Sequence, residues 1–199
     1  MKLVLFLLVL LEGFLMLGIF LVGVVAIYFT FNSGFMRNAP PVPSSGKVKK
    51  AMIEDVAQTL KKKKNQLVMD LGSGWGTLLL PLARQFPNHN FIGIDHGWLP
   101  YLVSRFRARK MKNIKFYCQD LFNADISKAD IIFLFLLPHE MKKVSIKCQA
   151  EAKEGTLLYA NRFSLSNVKL KKEHSLGSKY DTYYTYKICK NNQNEKKLD

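Results

Sequence analysis

The stretch Asp70-Leu71-Gly72-Ser73-Gly74-Trp75-Gly76-Thr77 holds the residues best arranged for chemistry. It follows the apolar pair Val68-Met69 and precedes a segment of helical pattern, so it reads as a strand-to-helix turn. Gly72 and Gly74 permit a tight turn and a close approach of backbone to ligand. The free N–H groups of the following helix would point at that ligand. The dinucleotide fingerprint is G-x-G-x-x-G. Counted from Gly72, its third glycine would fall at Thr77, whereas the third glycine of this chain is Gly76. Asp70 precedes the first glycine by two positions. A carboxylate there repels a pyrophosphate and accepts from a cationic amino group.

Two further acids end strands in the same register. Asp95, beside His96, lies 19 positions after Gly76, where a carboxylate can accept both hydroxyls of a ribose. Asp120, beside Gln119, ends a third strand where an adenine amino group would need an acceptor. An amine, a sugar and a base without phosphate describe S-adenosylmethionine, which is therefore the expected cofactor. Its expected binding residues are Asp70, Gly72, Ser73, Gly74, Gly76, Asp95, His96, Gln119 and Asp120. Candidates to line the mouth are Pro43 and Ser44 for substrate, and His139, Glu140 and Tyr184 for catalysis, with His139 as a base or polar clamp. Trp75 and Trp98 are read as packing residues. Cys118, Cys148 and Cys189 match no zinc or CxxC spacing and are read as free thiols of a reducing compartment; no metal is expected.

The elements that must position these residues alternate. A helix is expected over 47–60, with Val48, Met52, Val56 and Leu60 on one face. Strands are expected over 66–71, 90–95, 113–119, 129–136 and 155–161, and helices over 76–86, 98–111 and 138–153. The fourth strand is apolar on both faces and hence central. Runs at 166–173 and 181–189 suggest an antiparallel pair closing the sheet. The pattern predicts an α/β fold with a mostly parallel sheet covered on both faces, and a ligand at the carboxyl ends of its strands.

Residues 3–31 are almost wholly apolar, with Glu12 their only charge. As a helix they would reach about 43 Å, more than the hydrocarbon core requires. The stretch is too long for a cleaved signal peptide and lacks an A-x-A site, so an uncleaved anchor is expected. Glu12, near its start, is expected to stay wet at the interface. Arg37, Lys47, Lys49, Lys50 and the run Lys61 to Lys64 follow the segment and only Lys2 precedes it, which puts the rest of the chain in the cytoplasm. The expected division is an anchor over 1–36, a Pro- and Ser-rich linker over 37–46, a catalytic domain over 47–189 and a polar, disordered tail over 190–199. The net charge of +15 favours anionic surroundings. The Lys61 to Lys64 run could meet anionic lipid. The basic residues Arg105, Arg107, Arg109, Lys110 and Lys112 offer charge alone, which is not specific for RNA, so nucleic acid is not expected as a partner.

The turn and its three acids resemble the seven-strand (class I) S-adenosylmethionine-dependent methyltransferases over about residues 42–188. Within that class the chain resembles the membrane-anchored family that contains the mitochondrial lysine methyltransferases of the ATP synthase c-subunit and the adenine nucleotide translocase. Three features carry the closer likeness. They are the apolar segment followed by Pro41-Val42-Pro43-Ser44-Ser45, the Asp70-Leu71-Gly72-Ser73-Gly74 turn, and Asn161-Arg162-Phe163-Ser164-Leu165 with Asp181-Thr182-Tyr183-Tyr184-Thr185-Tyr186 beyond it. The resemblance implies a Rossmann-like seven-strand methyltransferase sheet preceded by one transmembrane helix, and a protein substrate at the membrane, methylated on lysine. The chain departs from the family where Trp75-Gly76-Thr77 replaces Asp-Gly-Arg and Asp95-His96-Gly97-Trp98 replaces Glu-x-Asn-Pro. These departures keep open small-molecule, lipid or RNA methylation and a catalytically inactive membrane scaffold. Leu136-Leu137-Pro138-His139 stands in place of an N-P-P-Y motif, which argues against methylation of amino-adenine or glutamine.

Overall fold

A computed structural model describes residues 2–32, 46–178 and 180–190, with the side chains of Leu5 and 29–32 set aside. The chain divides into two units, Met1–Pro43 and Ser44–Asp199. Described residues of the first unit form one helix, α1 (Lys2–Asn32). Its stretch Lys2–Tyr28 is long and apolar enough to cross a membrane, and none of its most apolar window is buried. Most of the expected linker and the expected tail beyond Lys190 lie outside the described residues, as do Pro43 and Ser44.

The second unit begins with α2 (Gly46–Lys62), whose Val48, Met52, Val56 and Leu60 are buried as their four-residue spacing predicts. Then follow β1 (Leu67–Leu71), α3 (Leu79–Gln85), β2 (Asn90–Asp95), α4 (Trp98–Ala108), β3 (Ile114–Cys118), a 3-10 turn at Leu121–Asn123, β4 (Ile131–Leu134), α5 (Pro138–Glu151), β5 (Leu157–Asn161), β6 (Leu170–Ser175) and β7 (Thr182–Lys187). The seven strands form one sheet in the order β3-β2-β1-β4-β5-β7-β6. The first five are parallel, and β7 pairs antiparallel with both β5 and β6. The expected closing pair is thus present.

Strand order reverses between β1 and β4, which puts a crevice beyond the carboxyl ends of these two neighbours. All four residues of β4 are buried, as its central place demands. Met69, Leu71, Ile132 and Leu134 face a core completed by Val144 and Cys148 of α5. Val68, Phe91, Ile131 and Phe133 face the other core, with Val56, Leu60, Leu80 and Leu82. Each such side chain contributes about 1.5–3 kcal/mol by leaving water. The segment after β5 is fixed to β7 by Leu165 N–H, which donates to the buried Tyr186 hydroxyl at 2.8 Å. Thr156 Oγ1 donates to Ala129 O at 2.8 Å, and Lys153 pairs with Asp130 at 2.6 Å; both tie the start of β5 to the start of β4.

Several boundaries fall one or more residues from expectation, and three of these shifts have a clear physical reason. The helix expected from Gly76 starts only at Leu79, because Gly76 sits at φ +69°, outside the helical region. The helix expected to reach Met111 ends at Ala108, where Arg109 and Met111 N–H turn back to Phe106 O and Ala108 O. The sixth strand begins at Leu170 rather than 166, after Asn167 at φ +63° bends the chain.

Candidate functional site

The turn expected to hold a ligand leaves β1 at the switch point. Gly72 N–H and Ser73 N–H both donate to Ile94 O, at 2.8 and 2.9 Å, so the turn is strapped to the end of β2. Gly72 has φ +96°, and a Cβ there would lie 3.0 Å from Leu136 Cδ2. Gly76 has φ +69°, and a Cβ there would meet the Phe116 ring at 2.7 Å. These two glycines are required by conformation and by space. At Gly74, φ +51°, a Cβ would meet nothing within 4 Å, so the crest of the turn opens onto free space.

Asp95, at the end of β2, is held by backbone alone. Its Oδ2 accepts from Gly74 N–H at 2.7 Å and its Oδ1 from Gly97 N–H at 2.8 Å. One carboxylate thus links the β1 turn to the start of α4, and each oxygen keeps a lone pair for a further donor. Gln119 N–H donates to Asp95 O at 3.0 Å, which draws the ends of β2 and β3 together. His96 is exposed beside them, and its carbonyl accepts from Cys118 Sγ at 3.7 Å.

Asp70 is different. It is buried, and no described donor reaches its carboxylate. Burial, and then the charge of Asp95, push its pKa up to about 7. An acid kept in this state is poised to receive a cation, because a positive charge beside it offsets both causes at once.

Asp120 caps the 3-10 turn, its Oδ1 accepting from Phe122 N–H at 2.9 Å, and it remains exposed. Of the catalytic candidates, His139 is exposed in the first turn of α5. Glu140 Oε2 accepts from Leu137 N–H at 3.3 Å, which places this carboxylate in the cap of α5. Tyr184 is half-buried on β7 against Ala160 of β5, and burial and then Glu173 raise its pKa. The structure therefore brings Asp70, Ser73, Gly74, Asp95 and Gln119 together around the strand tips and gives Asp120 and Glu140 capping work as well. Trp75 and Trp98 are not core packing residues, since 39% and 49% of their surfaces are exposed. Instead Trp75 O accepts from Arg107 Nη1 at 2.7 Å, which ties the turn to α4. Arg162, at φ +65° just after β5, is a residue that spacing does not single out for the site. Its guanidinium lies 4.7 Å from the Tyr180 ring, and neither the bend nor the stacking has a signal in the sequence pattern.

The donor set fits S-adenosylmethionine. A buried carboxylate without a described donor suits an ammonium, a backbone-held carboxylate with spare lone pairs suits hydroxyls, and the open crest at Gly74 leaves room for the molecule to lie across the tips.

Comparison with known proteins agrees. The family profile of the ANTKMT methyltransferase domain matches residues 70–172. A protein-lysine N-methyltransferase of Saccharolobus islandicus is 25% identical over 134 residues, covering 66% of this chain and 81% of that protein. A carboxy-S-adenosyl-L-methionine synthase of Helicobacter hepaticus is 30% identical over 126 residues, 59% of this chain, which spans 53% of that protein's length. Among solved structures, an RNA methyltransferase from Salinibacter ruber in complex with S-adenosyl-L-homocysteine superposes with a TM-score of 0.65 at 25% identity, over 79% of this chain and 99% of that one. The fold is the Rossmann-like methyltransferase fold and the cofactor is S-adenosylmethionine. The chain belongs to the ANTKMT methyltransferase-domain family, and it is an S-adenosylmethionine-dependent methyltransferase.

Proposed function

We propose that this methyltransferase is anchored in a membrane by residues 3–31 and methylates a lysine of a protein at that membrane. The observation that carries the anchoring is the helix Lys2–Tyr28, apolar but for Lys2 and Glu12, with none of its most apolar window buried. Packed in water it would expose Leu, Phe, Val and Ile on every side, a surface that soluble monomers do not keep. Basic residues concentrated after the helix favour a single pass with the catalytic domain in the cytoplasm. The lysine reading is supported by the likeness to a protein-lysine N-methyltransferase over most of that protein's length. We assign 1–36 to the anchor, 37–46 to a linker, 47–189 to the catalytic domain and 190–199 to a tail.

In this reading Asp70 receives the cofactor's ammonium, and Asp95 the ribose hydroxyls. Gly72, Ser73, Gly74 and Gly76 shape the floor beneath them, with His96, Gln119 and Asp120 around the base. Bound S-adenosylmethionine supplies an electrophilic methyl group on a sulfonium, and the protein's task is alignment. A lysine acceptor reaches the site as an ammonium and must lose a proton. His139 at the start of α5 and Tyr184 on β7 are the candidates to take or relay it, and the sequence offers Pro43 and Ser44 as substrate-binding candidates.

The test is the full-length chain in membranes supplied with tritium-labelled cofactor, followed by separation of protein, lipid and RNA. Label in lysine of a membrane protein, lost in Asp70→Ala and Asp95→Ala, is the expected result. Cofactor binding with no label in any fraction would instead favour a scaffold. Label in RNA would favour the second reading, which the likeness to the Salinibacter RNA methyltransferase supports.

A further inference from the structure

Helix α4 has its apolar pattern turned outward. The residues it buries against the sheet are small, Ser104 and Ala108. Tyr101 packs against the core beside them, whereas three large apolar side chains are exposed: Trp98 by 49%, Leu102 by 45% and Phe106 by 64%. At four-residue spacing these three form one ridge, turning through only about 80° of the helix circumference. Arg105 and Arg109 flank the ridge, and the Arg109 guanidinium lies 4.0 Å over the Phe106 ring. Residues 96–119 hold Arg105, Arg107, Arg109, Lys110, Lys112 and Lys115 and no acid. A ridge of Trp, Leu and Phe bordered by arginines matches the interface of an anionic bilayer, where apolar rings enter the headgroup boundary and guanidinium groups meet phosphate.

We infer that α4 is a docking helix that lays its Trp98–Leu102–Phe106 ridge on an anionic phospholipid surface. The inference rests on the membrane reading above only in that an anchor would keep a bilayer within reach. RNA is the less suitable partner. Leu102, in the middle of the ridge, offers nothing to stack, and one face of Phe106 is already covered by Arg109.

The chain has two tryptophans, Trp75 and Trp98, and neither lies in the apolar helix, so indole emission reports the domain and not the anchor. The full-length chain is reconstituted with vesicles of phosphatidylcholine alone, or of phosphatidylcholine and phosphatidylserine, each with brominated acyl chains. Quenching of indole emission by the phosphatidylserine vesicles is expected, weak with phosphatidylcholine alone and relieved by added salt. Trp98→Phe removes most of it. Arg105→Gln with Arg109→Gln weakens docking about 25-fold, at about fivefold per charge near an anionic surface. A chain that floats with phosphatidylserine vesicles yet shows no quenching overturns the inference, and so does quenching that survives in Trp98→Phe. An emission change on adding polyuridylate, without quenching by bromolipid, overturns it in favour of RNA. Flotation with neutral vesicles reads the anchor separately. If it fails while phosphatidylserine still quenches, the anchor is wrong and α4 docking stands.

Discussion

Because Asp70 is held near pH 7 in the folded chain, cofactor binding and proton release are coupled. The cofactor's amino group stays cationic below about pH 7.5, and it needs the ionised carboxylate. The apparent dissociation constant therefore scales as one plus the ratio of protonated to ionised Asp70. With a pKa of about 7, that factor is about 11 at pH 6.0 and about 1.3 at pH 7.5, so affinity falls about eightfold between them. Calorimetric titration with S-adenosylmethionine in buffers of different ionisation enthalpy reads both the constant and the proton count, and close to one proton leaves per site at pH 6.0. Asp70→Asn binds more weakly at pH 7.5 and loses the pH dependence. Stability moves the other way. The folded pKa lies above the ordinary value of 3.8, so the folded chain holds more protons between the two and stability falls as pH rises through that window. A rise of this size costs the folded chain about 4 kcal/mol once Asp70 is fully ionised. Asp70→Asn thus melts at a higher temperature at pH 7.5, and the gain fades towards pH 4. A flat affinity from pH 6.0 to 7.5 with no proton released would refute the reasoning.

Other outcomes follow from packing and burial. A Cβ at Gly93 would come within 2.4 Å of two Phe116 ring atoms and 2.8 Å of Ser73 Oγ. Gly93→Ala should cost about 1–3 kcal/mol in urea unfolding, and Phe116→Leu in the same chain should restore part of it. Thr156→Val leaves Ala129 O without its buried hydroxyl donor and should cost about 1–3 kcal/mol by the same measurement. Burial pushes the Cys148 thiol up to about 12, whereas Cys118 and Cys189 are exposed. Maleimide at pH 7 should label the last two in the native chain and reach Cys148 only after denaturation.

The central strands are legible in the sequence because strands buried on both faces need unbroken apolar runs: Ile131 to Leu134 could sit nowhere else. The site's register is legible too, since Asp70 and Asp95 each close an apolar run and Asp120 follows the third strand by two positions. What the pattern cannot convey is which way α4 faces. Trp98, Leu102 and Phe106 have the spacing of a core-facing ridge, but the helix meets the core through Tyr101 and the small, buried Ser104 and Ala108. The pattern therefore points to the wrong face and hides the exposed aromatics among the basic residues. The start of α3 falls later than the pattern predicts because a positive φ at Gly76 is a backbone choice that composition does not record. The capping bonds of Asp120 and Glu140 depend on local turns only one or two residues long.

The three carboxylates at the strand tips are not equivalent, and the difference explains why the turn suits a cationic ligand. Asp95 takes a backbone N–H on each oxygen, and Asp120 takes one from its own turn. Those bonds fix the position of both carboxylates whether or not a ligand is present. Asp70 has no such donor among the described residues and feels Asp95 as a like charge. At about 4 Å and an effective dielectric of about 20, two unit charges interact by about 4 kcal/mol. An ammonium brought to Asp70 gains energy of that order, and a pyrophosphate in the same place loses it with each of its charges. Against a swing of that size, whether the third glycine falls at 76 or 77 is a minor matter. Removing the charge at Asp70 should therefore cost affinity for the aminobutyrate end of the cofactor while leaving adenosine alone, which lacks that ammonium, bound as before.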